Sequence, residues 1–238
     1  MHYVIGDVHG CYTEMIQLID KINSVDSSAQ FIFVGDFVDR GPSTKEVLDW
    51  CLSNITLTGK YQAVLGNHED MLISWYYEKY EPYISSRSYF FSSIPSTNYD
   101  FANVIESNRL NASTIKKYID WMEERPLSID LEIEGQKYKI VHSWYWWDTN
   151  EETGRYVCLW LRNLKGNFKN DTIIVHGHTP TLDPEYLTDQ DTCGRICYRH
   201  NSINVDGGCV FGKIFQGYNS ALCAICLETK EEFYVETN

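Results

Sequence analysis

Short apolar runs that each break into a glycine-led polar turn set the rhythm of the first third of the chain. Val4-Ile5 runs into Gly6-Asp7-Val8-His9-Gly10. Phe31-Ile32-Phe33-Val34 runs into Gly35-Asp36-Phe37-Val38-Asp39-Arg40-Gly41, and Ala63-Val64-Leu65 into Gly66-Asn67-His68-Glu69. Runs of this kind, bounded by turn residues, predict buried strands. Between them the apolar period changes. Met15, Leu18, Ile19 and Ile22 predict a helix over residues 12–23, followed by a polar return loop over residues 24–30. Val47, Leu48, Cys51 and Leu52 mark one face of a second helix, and Gly59 closes its connection to the third strand. Met71, Leu72 and Trp75 continue the third turn as a helix. The order β-α-β-α-β predicts a parallel sheet with right-handed crossovers.

The rhythm fails over residues 76–125. Residues 76–98 are rich in Tyr, Ser and Phe without a period, and only Ile115, Ile119 and Met122 suggest a helix, ending before Pro126. This stretch reads as an inserted helical region that either borders the site or forms a peripheral lobe. Strands then resume. Leu131-Glu132-Ile133 and Tyr138-Lys139-Ile140-Val141 flank a turn, which is a hairpin signature, and the second arm ends at His142-Ser143. Thr172-Ile173-Ile174-Val175 ends in His176-Gly177-His178-Thr179-Pro180, and Ser202-Ile203-Asn204-Val205 ends in Asp206-Gly207-Gly208. Residues 222–227 and Phe233-Tyr234-Val235 close the sheet. The later strands read as antiparallel or mixed. With no repeats and no convincing linker, the expectation is one α/β (α+β) domain over residues 1–238.

Composition narrows the function more than the fold. Of 238 residues, 43% are hydrophobic, enough for a sizeable core, and the formal net charge is −13 with no dense basic run. That balance argues against a nucleic-acid backbone as partner. No apolar run is long enough to span a bilayer, and the first strand begins almost at once, so a cytoplasmic protein is expected. The eight cysteines are then thiols rather than bridges. Cys223 and Cys226 have zinc-knuckle spacing, but they lie in a strand-like run with no second such pair, and a metal role is set aside. Cys193 and Cys197 are treated alike.

Six side chains at strand ends are suited to two adjacent cations: Asp7, His9, Asp36, Asn67, His142 and His178. Carboxylate, amide oxygen and imidazole suit manganese, iron or zinc, and no cysteine lies in these turns. Manganese is placed first. Four of the seven histidines fall in such turns, five with His68. A metal pair needs a bridging anion, and Asp36, in the middle turn, is the natural candidate.

Asp7-Val8-His9-Gly10, Gly35-Asp36-Phe37-Val38-Asp39-Arg40-Gly41 and Gly66-Asn67-His68-Glu69, with His142 and Gly177-His178-Thr179 after them, resemble the phosphoprotein phosphatase family of calcineurin-like metallophosphoesterases. The resemblance spans about residues 4–227. Gly10-Cys11-Tyr12 and the compact size are most similar to the bacterial and phage branch, which includes the phage lambda protein phosphatase. The resemblance implies a β-sandwich flanked by helices. It assigns Asp7, His9 and Asp36 to one metal, and Asp36, Asn67, His142 and His178 to the other. Arg40 would clamp phosphate through its planar fork, and Arg162 matches a second phosphate-binding arginine, with Arg155 nearby as a competitor. His68 neighbours a ligand without being one, so it is free to protonate the leaving group, with Asp39 holding its imidazole. His176 is left as a supporting or packing residue.

The expected activity is metal-dependent phosphomonoester hydrolysis on a phosphorylated protein or peptide, as in serine/threonine phosphatases. The alternative is a dinucleoside polyphosphate hydrolase resembling diadenosine tetraphosphatases. A non-catalytic metal scaffold fits poorly with His68 and Arg40 both present. Trp144-Tyr145-Trp146-Trp147, directly after His142-Ser143, either lines a specificity pocket or packs in the core, with packing preferred.

Overall fold

Alternation of side chains along the apolar strands sorts them onto two faces, and each face builds its own core. The computed structural model describes residues 1–80, 110–162, 169, 171–183, 193–199, 201–214 and 219–237. In chain order its strands are β1 (His2–Ile5), β2 (Gln30–Phe33), β3 (Tyr61–Ala63), β4 (Ser128–Ile133), β5 (Gln136–Val141), β6 (Thr172–His176), β7 (Cys197–Arg199), β8 (Ser202–Asn204), β9 (Ser220–Cys226) and β10 (Glu232–Thr237). They form two five-stranded sheets, ordered β10-β9-β1-β2-β3 and β4-β5-β6-β8-β7. β1, β2 and β3 pair in parallel, as the β-α-β-α-β pattern requires. β9 runs antiparallel to β1, so both sheets are mixed.

Val4, Ile32 and Ile225 from the first sheet meet Tyr138, Ile140 and Val175 from the second. This is the filling of a β-sandwich. The odd positions of the same strands, Tyr3, Ile5, Phe31 and Phe33, face the other way. They pack beneath helices α1 (Tyr12–Val25), α2 (Thr44–Asn54) and α4 (Ala112–Glu123), while α3 (Asn67–Tyr80) contributes Leu72, Ile73 and Tyr76. A smaller cluster of Val141, Trp144, Val157 and Ile174 covers the outside of the second sheet under α5 (Glu151–Trp160). A last short helix, α6 (Cys209–Ile214), follows β8.

Several expectations are corrected. Leu52 is 40% exposed, so the buried face of α2 is Val47, Leu48 and Cys51 alone. α3 begins at Asn67 itself and runs to Tyr80, into the stretch that showed no period. Residues 81–109 of the expected insertion lie outside the described residues. Its remaining helix, α4, packs in the main core, against the Asp36 turn, rather than in a peripheral lobe. Ile115, Tyr118, Ile119, Trp121 and Met122 are buried in the main core, with Trp121 edge-on to Phe37 at 5.7 Å. The hairpin turn is the two-residue Glu134-Gly135, both at positive φ (50° and 82°), which matches strand twist. Cys223 and Cys226 fall on opposite faces of β9, in different cores, because a spacing of three reverses the face of a strand. They cannot share an ion. Among the described residues no helix is long and apolar enough to cross a membrane.

Candidate metal centre

The turns leaving β1, β2, β3, β5, β6 and β8 converge at one end of the sandwich. The first two are stitched together by backbone bonds: the amides of Val8 and His9 donate to the Asp36 carbonyl (3.1 and 2.8 Å), and that of Gly10 to Phe37 (2.9 Å). The His142 carbonyl accepts from Gly177 (2.9 Å), joining the two turns of the second sheet. Five non-glycine residues here sit in the left-handed region: His9, Asp36, Asp39, Arg40 and His178, at φ between 42° and 69°. Each costs about 1–2 kcal/mol. Such strain persists only where the surroundings over-determine it.

Glu69 supplies much of that determination. Its buried carboxylate accepts from the amides of Asp36 (2.8 Å), Phe37 (2.8 Å), Val38 (3.2 Å) and Gly66 (3.1 Å). Burial and the nearby Asp36 charge push its carboxyl up to about 8, against the amides that stabilise the anion. Gly66 has to be glycine for the same packing, since a Cβ there would stand 2.2 Å from the Asp36 nitrogen.

Asp36 is the centre of the cluster. Its Oδ2 lies 3.4 Å from His9 Nε2 and 4.0 Å from His68 Nε2, and its Oδ1 lies 3.4 Å from His142 Nε2. The His68 amide, in the first turn of α3, donates to Oδ1 at 3.0 Å. Burial opposes charge on Asp36, but the imidazoles of His142, His68 and His9 and that amide hold its carboxyl well below the usual range. His9 Nδ1 donates to the Val38 carbonyl and His142 Nδ1 to the Val34 carbonyl (2.8 and 2.9 Å), which leaves both Nε2 lone pairs facing inward. Burial pushes the pKa of His9, His142 and His178 down, so these rings are neutral. Asn67 Oδ1 stands 2.8 Å from His142 Nε2 and 2.9 Å from His178 Nδ1.

The Nε2 lone pairs of His9 and His142 therefore face the Asp36 carboxylate at 3.4 Å each, which is unfavourable unless a cation lies between them. Asp7 sharpens the point. Burial, Asp206 and Asp36 all push its carboxyl well up, and all three acids are buried. The donor atoms group as His9-Asp36-His68 and Asp36-His142-His178, each set within 4.8 Å, with Asp36 common to both. Asp7 stands outside these two tight sets, with its Oδ2 accepting from the His178 amide at 3.1 Å. The residues present fit a pair of divalent cations, which when bound supply an activated water and charge on the phosphate oxygens.

The remaining candidates surround this cluster. His68 Nδ1 is 2.7 Å from Asp39 Oδ2, and the ring stands edge-on to His9 at 4.7 Å. Burial would lower the pKa of His68, but Asp36 and Asp39 outweigh it and raise it. The His68 Nε2 is held near Asp36. The exposed Arg40 reaches back to His9 Nε2. Arg162 donates to the His178 carbonyl (3.1 Å) and Thr179 Oγ1 (3.2 Å), against the His178 turn, whereas Arg155 pairs with Asp70. His176 packs edge-on against Trp144 at 5.5 Å. Trp144 is fully buried on the outer face of the second sheet, and Tyr145, Trp146 and Trp147 pack partly buried beside it. Sequence reasoning passed over Asp206. It is 4% exposed, and burial lifts its carboxyl to about 6. Its signal was there: Asp206-Gly207-Gly208 repeats the strand-then-turn pattern of the first three turns.

The sequence profile of the calcineurin-like phosphoesterases matches residues 3–212, and the chain belongs to that family. It is 26% identical to an asymmetrical bis(5'-nucleosyl)-tetraphosphatase, PrpE, of Anoxybacillus flavithermus, over 88% of this chain and 86% of that one. It is also 26% identical to serine/threonine-protein phosphatase 2 of Salmonella typhimurium, over 87% of this chain and 86% of that one. In fold it resembles a protein serine/threonine phosphatase from Saccharomyces cerevisiae, with a TM-score of 0.57 at 15% identity, covering 100% of this chain and 79% of that one.

Proposed function

We propose that this calcineurin-like phosphoesterase hydrolyses the phosphoanhydride bridge of a dinucleoside polyphosphate. The observation that carries the reading is the similarity, over 88% of this chain, to an asymmetrical bis(5'-nucleosyl)-tetraphosphatase, laid over a cluster of donor atoms that share Asp36. In the proposal Asp7, His9 and Asp36 hold one divalent ion, and Asp36, Asn67, His142 and His178 the other. Manganese is the first choice. Arg40 and Arg162 grip phosphate oxygens, and His68, held by Asp39, protonates the leaving group. A cytoplasmic setting, in keeping with eight free thiols, belongs to the same proposal.

Phosphoserine and phosphothreonine peptides are the second reading. The Salmonella typhimurium relative favours it, as do the intact Asp39-Arg40 and Gly66-Asn67-His68-Glu69 turns. The aromatic run after His142 speaks for neither, since it packs against the outside of the second sheet. Comparing kcat/KM for diadenosine tetraphosphate and a phosphothreonine peptide, with manganese present, decides between them. A preference for the dinucleotide is expected, and a preference for the peptide overturns the first reading.

A further inference from the structure

We propose that Asn204 is a positioning residue for Arg162, its side chain holding the His178-Thr179 turn to which the guanidinium is bonded; the proposal rests on the reading of Arg162 as a phosphate clamp. Asn204 is the last residue of β8, and it pairs in register with His176, the last residue of β6. Beyond these two residues the strands part into their turns. The Asn204 side chain bridges the gap. Its Nδ2 donates to the Thr179 carbonyl at 2.8 Å, and its Oδ1 accepts from the Asp206 amide at 2.9 Å. The Thr181 amide closes the same seam by donating to the Asp206 carbonyl at 2.9 Å.

The two partners select the residue type. A backbone carbonyl only accepts and a backbone amide only donates. The side chain between them must therefore offer one donor and one acceptor on neighbouring atoms, which a primary amide does. An ionised carboxylate lacks the donor, and an aliphatic chain lacks both. Asn204 is 1% exposed, so a partner left without its bond would bear the desolvation cost of a buried polar group.

Arg162 binds the other side of the same turn. Its Nη1 donates to the His178 carbonyl at 3.1 Å and to Thr179 Oγ1 at 3.2 Å. Thr179 thus carries both an acceptor for Arg162 and the carbonyl that Asn204 holds. The turn needs such support, because His178 sits in the left-handed region at φ 69°. Neither acceptor of Arg162 is an atom that a cation would take. His178 meets the ligand cluster through its ring, with Nδ1 at 2.9 Å from Asn67 Oδ1, so the pose is compatible with a loaded centre. Nε and Nη2 of Arg162 have no hydrogen-bond partner among the described residues. That leaves one edge of the fork for two phosphate oxygens.

The test is a mutant cycle on manganese-loaded protein. Binding of inorganic phosphate is read by isothermal titration, together with kcat and KM for p-nitrophenyl phosphate and metal content by elemental analysis. Asn204→Ala is expected to weaken phosphate binding about three- to tenfold, the scale of one lost hydrogen bond, to raise KM more than it lowers kcat, and to leave the metals in place. On an Arg162→Ala background it should weaken phosphate binding no further. Thr179→Val, which removes the Oγ1 acceptor at similar shape, should weaken binding in the same range. Asn204→Ser, too short to reach the Thr179 carbonyl, serves the same comparison if the alanine variant does not fold. An equal loss on the Arg162→Ala background, unchanged binding in the Asn204 or Thr179 variant, or loss of metal overturns the positioning role and leaves the clamp standing. Unchanged phosphate binding in Arg162→Ala alone overturns the clamp, and the proposal with it. Neither outcome depends on which organic substrate is preferred.

Discussion

His68→Asn separates the proton donor from the metal cluster. The amide that donates to Asp36 Oδ1 at 3.0 Å belongs to the backbone of residue 68, so it survives the substitution. What is lost is an imidazole whose Nδ1 is 2.7 Å from Asp39 and whose Nε2 is 4.0 Å from Asp36. Burial would lower its pKa, but Asp36 and Asp39 outweigh burial and raise it, which favours the protonated ring. A general acid in such a position contributes about 10²–10⁴ in rate. A serine alkoxide leaves poorly and needs the whole of that help. A phosphate oxygen expelled from an anhydride is far less basic and needs less, as does p-nitrophenolate. His68→Asn should therefore lose about 10²–10⁴ in kcat on a phosphoserine peptide, clearly less on diadenosine tetraphosphate or p-nitrophenyl phosphate, and keep its metals. The assay is steady-state kcat on the three substrates with elemental analysis alongside. Equal losses on all three would refute the general-acid role, and a drop in metal content would show that His68 is a ligand. The pH profile gives the sign. The required form is protonated, so activity falls as pH rises through the pKa of His68. Asp39→Asn removes an anionic partner, lowers that pKa and moves the alkaline limb to lower pH; an unmoved limb counts against Asp39.

Asp36→Ala removes the one group common to both ligand sets and should abolish metal binding and activity together; two metals per chain in that variant would rule out a bridge. Gly177→Ala places a Cβ 2.0 Å from Asp7 Oδ1 and 2.8 Å from Val34 Cγ2. It should displace Asp7, lower metal affinity by titration and cost about 1–3 kcal/mol in urea unfolding, whereas wild-type affinity would show that Asp7 is not needed. Trp144→Ala empties a fully buried site and should cost about 3–5 kcal/mol. Trp147→Ala should leave the ratio of kcat/KM for dinucleotide and peptide unchanged, and a selective loss of dinucleotide turnover would make the aromatic run a base platform after all.

What could be read in advance was whatever is encoded locally. A strand followed by glycine and a metal-type side chain is complete within seven residues, so the turns at Asp7, Asp36 and Asn67 were legible, as were His142 and His178 at strand ends. The start of α3 was not. Asn67, His68 and Glu69 occupy its first turn, and ligand chemistry masked the helical period that only becomes apolar at Met71. Nor was the purpose of Glu69, because three of its four amide partners lie over thirty residues earlier. The side taken by Trp144 was undecidable from a run of four aromatics, since it depends on which face of β5 the chain leaves. The choice between peptide and dinucleotide was hidden for a further reason: the turns describe how phosphate is gripped, and say nothing of what is attached to it.

The two proposed ligand sets also differ in when the ribosome delivers them. Asp7, His9 and Asp36 all lie on turns of the parallel β1-β2-β3 unit, and Glu69 locks the middle turn from α3. That unit emerges first with α1, α2 and α3, although β9 and β10 join its other edge only at the end of the chain. The other set waits for His142 and His178, which arrive only when β5 and β6 exist and the second sheet closes over the first. About a hundred more residues, roughly five to twenty seconds of synthesis, separate the two sets. Ion uptake in the living cell would follow chain order, one cation early and its neighbour on closure.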